Sequence, residues 1–230
     1  MAESRSVRAA ASKSTRDLIL DVAERRFAER GFRGVSVREI AAEVGLKNQA
    51  SLYHHFRNKR ALYEAVLSRG VATLVELVAA GAPVETGRVD YRKVVEDTVD
   101  RLIDYLLEHP HLPRLIQRAG MDDAQAFRGT LIRLLRPLFQ QGMGVLAVAG
   151  VRWPREELPH LAAGIYHLIF GYFANTQLLS LVSESDWLDA AAVARQRRFL
   201  KAAIGELLGF RTLGELRVVS VTPRLREKRQ

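Results

Sequence analysis

The chain has 230 residues, 48% of them hydrophobic and 27% charged, which is the composition of a folded protein with a substantial core. It contains no cysteine, which excludes a disulfide framework, thiolate chemistry and cysteine-ligated zinc, and makes a cytoplasmic setting the natural expectation. The formal charge of +9 is unevenly placed: residues 1–70 hold 14 Lys/Arg against 8 Asp/Glu, residues 71–210 hold 15 against 16, and the last twenty hold 6 against 2. Basic ends around a near-neutral middle point to a polyanion met at the ends, although a generally arginine-rich composition would give the same balance.

The start, MAESRSVRAAASKSTR, has the Arg/Ser bias of a transit peptide but no apolar run. It leads directly into a helix signal, so residues 1–13 read as a flexible basic arm. Residues 14–30 place Ile19, Val22, Ala23 and Phe27 on one helical face, with Gly31 as C-terminal cap and Phe32 packing back. Ser36 and Glu39 then have the spacing of a capping box, and Val37, Ile40, Ala41 and Val44 form an apolar face. Gly45 can take the left-handed conformation that ends a helix. A second short helix follows from about Asn48 to His55, with Leu52 and Phe56 inward and Lys47, Asn48, Gln49, Ser51, Tyr53 and His54 left outside. Two short helices across a tight turn, with an outer face rich in hydrogen-bonding groups, make a helix-turn-helix.

Asn58 is a plausible cap for a longer helix, about 58–80, that links to the rest of the chain. GAPVETG (81–87) reads as a linker. Helices are expected over 89–108, over 112–120 and over 123–140, where Pro137 should kink or end the last of these. QQGMGVLAVAG reads as a helix end followed by a short apolar segment, and VRWPREELP as a loop. Two long helices close the chain, about 156–182 and 186–208, the second opening at Asp186. No charged residue occurs from Leu158 to Ser183, but Pro159, His160, His167, Asn175, Thr176 and Gln177 interrupt the run, so a buried helix fits better than a membrane span. A helix apolar nearly all round must be covered on every side, and a second copy of the same helix pair would cover it. The expected interface comprises Leu161, Ile165, Leu168, Phe199, Ala203 and Ile204. Residues 211–230 form a basic tail.

Residues 14–66 resemble the TetR family of bacterial transcriptional regulators. The resemblance rests on Ile19-Leu20, Ala23, Phe27-Ala28-Glu29 and Gly31-Phe32, then Ser36 to Ala41, then Leu52-Tyr53-His54-His55-Phe56, Asn58-Lys59 and Leu62. One departure is visible: Ile40 and Tyr53 lie thirteen steps apart where the family usually has twelve, which puts an extra residue near Leu46–Gln49. The resemblance implies an all-α fold of about nine to ten helices, with a three-helix DNA-binding domain over 14–60 and a larger ligand-binding and dimerisation domain over 81–210. It further implies a homodimer on a palindromic double-stranded operator, most simply a repressor released by a small, largely apolar effector. No cofactor is implied.

The recognition helix would enter the major groove, where Asn48 and Gln49 can pair with adenine and Lys47 with guanine or phosphate. The resemblance places Arg38 near a guanine or the backbone. Ser36, Ser51, Tyr53, His54 and Lys59 are the remaining candidate contacts, and the arm residues Arg5, Arg8, Lys13 and Arg16 could follow the backbone. Tyr53 and His55 could equally be core-edge residues, and Lys59 a solvated surface charge. Tyr105, Phe127, Trp153, Tyr166, Phe170 and Phe173 are available to line an effector pocket, or are ordinary core aromatics. His109, His111, His160 and His167 lack metal-ligand spacing, so no metal site is expected. No nucleophile, phosphate loop or carboxylate pair stands in a recognisable context, so an enzyme is not expected. A nucleic-acid-binding protein without sequence preference, or a scaffold protein, is the second alternative.

Overall fold

The structure is a computed structural model that describes residues 13–80, 90–148 and 152–210. The described residues form ten helices: α1 (Thr15–Arg30), α2 (Val37–Val44), α3 (Gln49–Tyr53), α4 (Lys59–Ala79), α5 (Tyr91–Glu108), α6 (Leu112–Met121), α7 (Ala124–Val148), α8 (Leu158–Ala174), α9 (Thr176–Ser183) and α10 (Ala190–Leu208), with a 3-10 turn at Arg155–Glu157. The expected linker, the basic arm up to residue 12 with Arg5 and Arg8, and the tail lie outside the described residues.

Side-chain caps set the first four helices. Ser14, Ser36, Asn48 and Asn58 each accept a hydrogen bond from a backbone N–H in the first turn that would otherwise be left unpaired. At α2 the box is reciprocal, with Glu39 accepting from the Ser36 N–H at 2.7 Å. Gly45 ends α2 at φ 78°, a left-handed value that glycine takes without steric cost. The connection between α2 and α3 runs from the Gly45 cap to the Asn48 cap.

Two apolar cores follow. The first gathers Ile19, Leu20, Phe27, Ile40, Leu52, Phe56, Leu62 and Tyr63, and it is completed by Leu115, Ala119 and Phe127 from α6 and α7. The second joins α4, α5, α6, α7, α8 and α10 through residues such as Leu74, Ile103, Leu106, Ile169, Phe173 and Leu200. Helix α4 belongs to both, as the linking helix should. At Gly70 it runs so close to α6 that an added Cβ would lie 2.3 Å from Leu112.

Three helix boundaries differ from the sequence reading. Pro137 does not end α7, which continues through the glycine-rich run to Val148 and loses helical geometry instead at Phe127 (φ −115°, ψ 16°). Proline deprives the Arg133 carbonyl of its helical partner, but both residues are exposed and water can replace it. The expected helix over 156–182 is two, parted at Asn175, whose side-chain amide donates to the Gly171 carbonyl at 2.8 Å while Thr176 donates to Phe173. Polar side chains that capture backbone carbonyls compete with the helix ladder. The last helix starts at Ala190 under an Asp189 cap, and Asp186 accepts from the Leu188 N–H in the preceding turn.

Candidate nucleic-acid interface

The surface around α2 and α3 brings four of the predicted contacts together. Arg38 on α2, Lys47 in the turn, the cap Asn48 and Gln49 in the first turn of α3 line one shallow recess with Ala41, Ala42 and Leu46. It combines three apolar side chains with a guanidinium, an ammonium and two amides. Those groups can reach base edges or phosphates. Tyr53 and His54 are exposed at the far end of α3, and His55 is exposed as well, so neither Tyr53 nor His55 lies in the core.

Asn48 is less free than its exposure implies. Its Oδ1 accepts from the Ser51 N–H at 3.0 Å and from the Ser51 hydroxyl at 3.3 Å. A bidentate pair with adenine needs both the oxygen and the amide hydrogens. While it caps α3, Asn48 offers only its hydrogens, and Gln49 is the amide whose two ends have no hydrogen-bond partner among the described residues. Ser51 is correspondingly half-buried and engaged with the cap. Ser36 stands at the other end of the motif with its oxygen accepting from the Glu39 N–H at 3.2 Å.

Lys59 is held inward. Its ammonium lies 4.5 Å above the Phe32 ring, and burial lowers its pKa while the Asp123 and Glu39 carboxylates oppose that shift. A phosphate contact would require it to leave the ring. Lys13 pairs with Asp21 on α1 at 2.8 Å, and Arg16, in the first turn of α1, lies 5.0 Å over Phe56 in the connection after α3, so both cations are already engaged.

Charge pairing separates structural arginines from available ones. Arg25 and Arg26 both bridge from α1 to Glu43 on α2, and Arg30 reaches Glu39 at 3.0 Å. Arg33, Arg38, Lys47 and Arg57 are exposed and form no ion pair among the described residues. Arg57 was not singled out in the sequence. Its signal was position, since it lies in the short connection between the buried Phe56 and the Asn58 cap.

A cavity is present apart from the six aromatics expected to line an effector pocket. An apolar cavity of about 140 Å³ lies between α4, α5, α7, α8 and α10, walled by aliphatic residues including Val78, Leu102, Val145, Ile165, Ile169 and Ile204. The six aromatics proposed for a pocket are not among its walls. Phe127 packs with Phe32 and Tyr63 in the first core. Tyr105 donates to the Gly70 carbonyl, Trp153 donates to the Leu207 carbonyl, and Tyr166 stacks on Phe170. Phe170 and Phe173 are buried core residues. These rings were chosen for size, but the aliphatic residues on facing helices define the void.

The predicted dimer residues also divide. Leu161 and Ile204 are buried within the chain, the latter at 1% exposure, so these two cannot form an outer face, and Ile165 is half-buried and lines the cavity. Leu168 and Ala203 are half-buried. Phe199 is exposed, and so are Leu178, Leu181 and Val182 on α9, a helix with no buried residue. Among the described residues no group of His, Asp or Glu could hold a metal ion, and no helix is long and apolar enough to cross a membrane.

Comparison with known proteins fits this geometry. Residues 19–66 match the model of the bacterial regulatory proteins of the tetR family. The chain is 24% identical over 203 residues to the HTH-type transcriptional repressor NicS of Pseudomonas putida, covering 84% of this chain and 92% of that one. It is 38% identical to the HTH-type transcriptional repressor AcnR of Corynebacterium diphtheriae over 73 residues, which span 32% of this chain and 38% of that one. In fold it is similar to the TetR family transcriptional regulator PfmR of Thermus thermophilus, with a TM-score of 0.65 at 18% identity, covering 86% of this chain and 97% of that one.

Proposed function

We propose that this chain, which belongs to the TetR family of transcriptional regulators and is not an enzyme, is a repressor that holds a palindromic operator as a homodimer and leaves it when a small apolar effector binds. The observation that carries the reading is the recess shared by Arg38, Lys47, Asn48 and Gln49, where cations and a free amide stand together on the outer face of a capped helix-turn-helix. Gln49 reads a base, Lys47 and Arg38 meet base edges or phosphates, and Ser36, Tyr53, His54 and Arg57 fix register on the backbone.

A symmetric site needs two recognition helices, and a second copy of the chain supplies the other. The exposed apolar residues Leu178, Leu181, Val182 and Phe199 favour α9 and α10 for that contact. Release by effector is supported by the cavity against α4, the helix that carries the DNA-reading segment at its other end. An effector shifts the operator equilibrium only to the extent that it binds the two conformations unequally.

Sequence selection on random DNA with the purified protein tests the reading. A symmetric site with half-sites about one duplex turn or more apart, roughly 34–36 Å per turn, is expected. Uniform protection of any sequence would instead favour a binder without base preference.

A further inference from the structure

We infer that the cavity between α4, α5, α7, α8 and α10 takes an electrically neutral hydrocarbon group about the size of a benzene ring, and that Gly142 sets how large that group can be. The inference rests on the effector-responsive reading above and names the ligand class for that site.

Three features of the walls carry it. Among the described residues lining the cavity, none is charged and Thr98 alone has a polar side chain. The Thr98 hydroxyl is already engaged in both directions: it donates to the Val94 carbonyl at 2.7 Å and accepts from Arg101 at 2.9 Å. A ligand carboxylate or ammonium placed here would lose its water and find no free partner among the described lining residues, since Arg101, whose Nε is buried and unpartnered, stands outside the lining behind Thr98. An unpaired buried ion is strongly disfavoured. A neutral hydrocarbon loses little and gains contact with aliphatic walls on five helices.

The volume, about 140 Å³, sets the scale. An engineered apolar cavity of roughly 150 Å³ in another protein stays dry and admits benzene or xenon. Any polar part of a larger effector therefore lies outside these walls. Gly142 contributes a bare stretch of α7 to the lining, and a Cβ built there meets nothing within 4 Å. Because Gly142 lines the cavity, a bulky side chain at 142 is expected to take up part of the space a ligand would use.

Calorimetric titration of the full-length protein with benzene, n-hexane, hexanoate and hexylammonium tests this. The two hydrocarbons should bind at least a hundredfold more tightly than either ion. Gly142→Leu should weaken benzene at least tenfold while far-ultraviolet circular dichroism keeps its helical signal. Ile165→Ala widens the same cavity and should admit naphthalene tenfold more tightly than the parent chain, which keeps the inference testable if Gly142→Leu does not fold. Hexanoate or hexylammonium binding as well as hexane would overturn the neutral-ligand assignment. Absence of hydrocarbon binding would make the cavity a packing void and overturn the inference entirely. Operator selection without any added probe separates the two readings. A specific site with no hydrocarbon binding sinks only the ligand class, and hydrocarbon binding without a specific site sinks only the regulator.

Discussion

Tyr63 donates its phenolic hydrogen to the Asp123 carboxylate at 3.0 Å, and that pair joins α4 to the entrance of α7 across 60 residues of sequence. The same oxygen accepts from the Phe32 N–H at 3.3 Å, so a 4%-exposed carboxylate is held by the end of α1 and by α4 together. Burial raises the Tyr63 pKa and the neighbouring carboxylate adds to the shift, which keeps the phenol protonated and donating. Phe27, Phe32 and Phe127 close around it. Tyr63→Phe removes one donor to a buried charge and should cost about 2 kcal/mol of stability. Urea denaturation measures it, and a change below a few tenths would mean that water already satisfies Asp123.

The cap of α2 makes a pH prediction. Glu39 accepts from the Ser36 backbone N–H first, then interacts with its hydroxyl and with Arg30, and its pKa is pushed down to about 2. A folded value below the unfolded one adds stability above the ordinary carboxylate pKa, and that contribution disappears as pH falls toward 2. Glu39→Gln keeps a side chain able to complete the box but cannot titrate. Melting temperature plotted between pH 5 and pH 2 should fall less steeply in the variant than in the parent. Parallel curves would assign the slope to other carboxylates.

Local chemistry was readable in the sequence wherever it depended on neighbours a few residues apart. Ser36 with Glu39, Gly45 and Asn58 each behave as their spacing implies, because caps and turns are local decisions. Boundaries set by tertiary packing were not readable. Pro137 argues for a kink or a helix end, yet α7 continues past it while packing against α4 and α8. Leu161 and Ile204 looked like a dimer face because an apolar stripe does not say which chain covers it, and the chain's own α5 and α7 do. The six aromatics do not line the apolar cavity for a related reason. Large aromatics fill space, and a cavity persists where smaller aliphatic residues and Gly142 leave it.

Three substitutions separate the roles gathered at the recess. Lys47→Ala should weaken binding to every DNA sequence and lower the salt slope by about one unit. Gln49→Ala should relax the preference at one base pair of the half-site, a loss of about 1–3 kcal/mol against the best base. Asn48→Ser preserves the N-cap, since serine caps about as well as asparagine, but removes the amide hydrogens. Its melting temperature should match the parent within a degree or two. A loss of operator affinity at unchanged stability then assigns those hydrogens to DNA, and unchanged affinity leaves Asn48 a cap alone.

The oligomeric state depends on which apolar residues are changed. Leu181→Glu with Phe199→Glu alters two exposed positions, at 78% and 55% exposure, and should give folded monomers with weakened operator binding. Ile204→Glu buries an unpaired charge in the second core and should unfold the chain instead. Sedimentation velocity with circular dichroism distinguishes the two. A dimer that survives the double exposed change would place the contact elsewhere.

Arg69 on α4 forks between Asp21 and Glu24 on α1, at 2.8 and 2.9 Å, and so fixes the linking helix to the first helix of the DNA-reading segment. Glu24 is buried at 4% exposure, so its charge depends on that guanidinium for compensation. Arg69→Met keeps much of the apolar stem but strands the carboxylate, and should cost roughly 3 kcal/mol. Glu24→Gln in the same chain removes the stranded charge and should recover more than half of the loss. The two changes are therefore non-additive, with an interaction energy above about 1 kcal/mol in a double-mutant cycle. Simple additivity would show that Glu24 is solvated well enough to stand alone, and that the α1–α4 junction is held by its apolar contacts around Leu20 and Leu67 rather than by the ion pair.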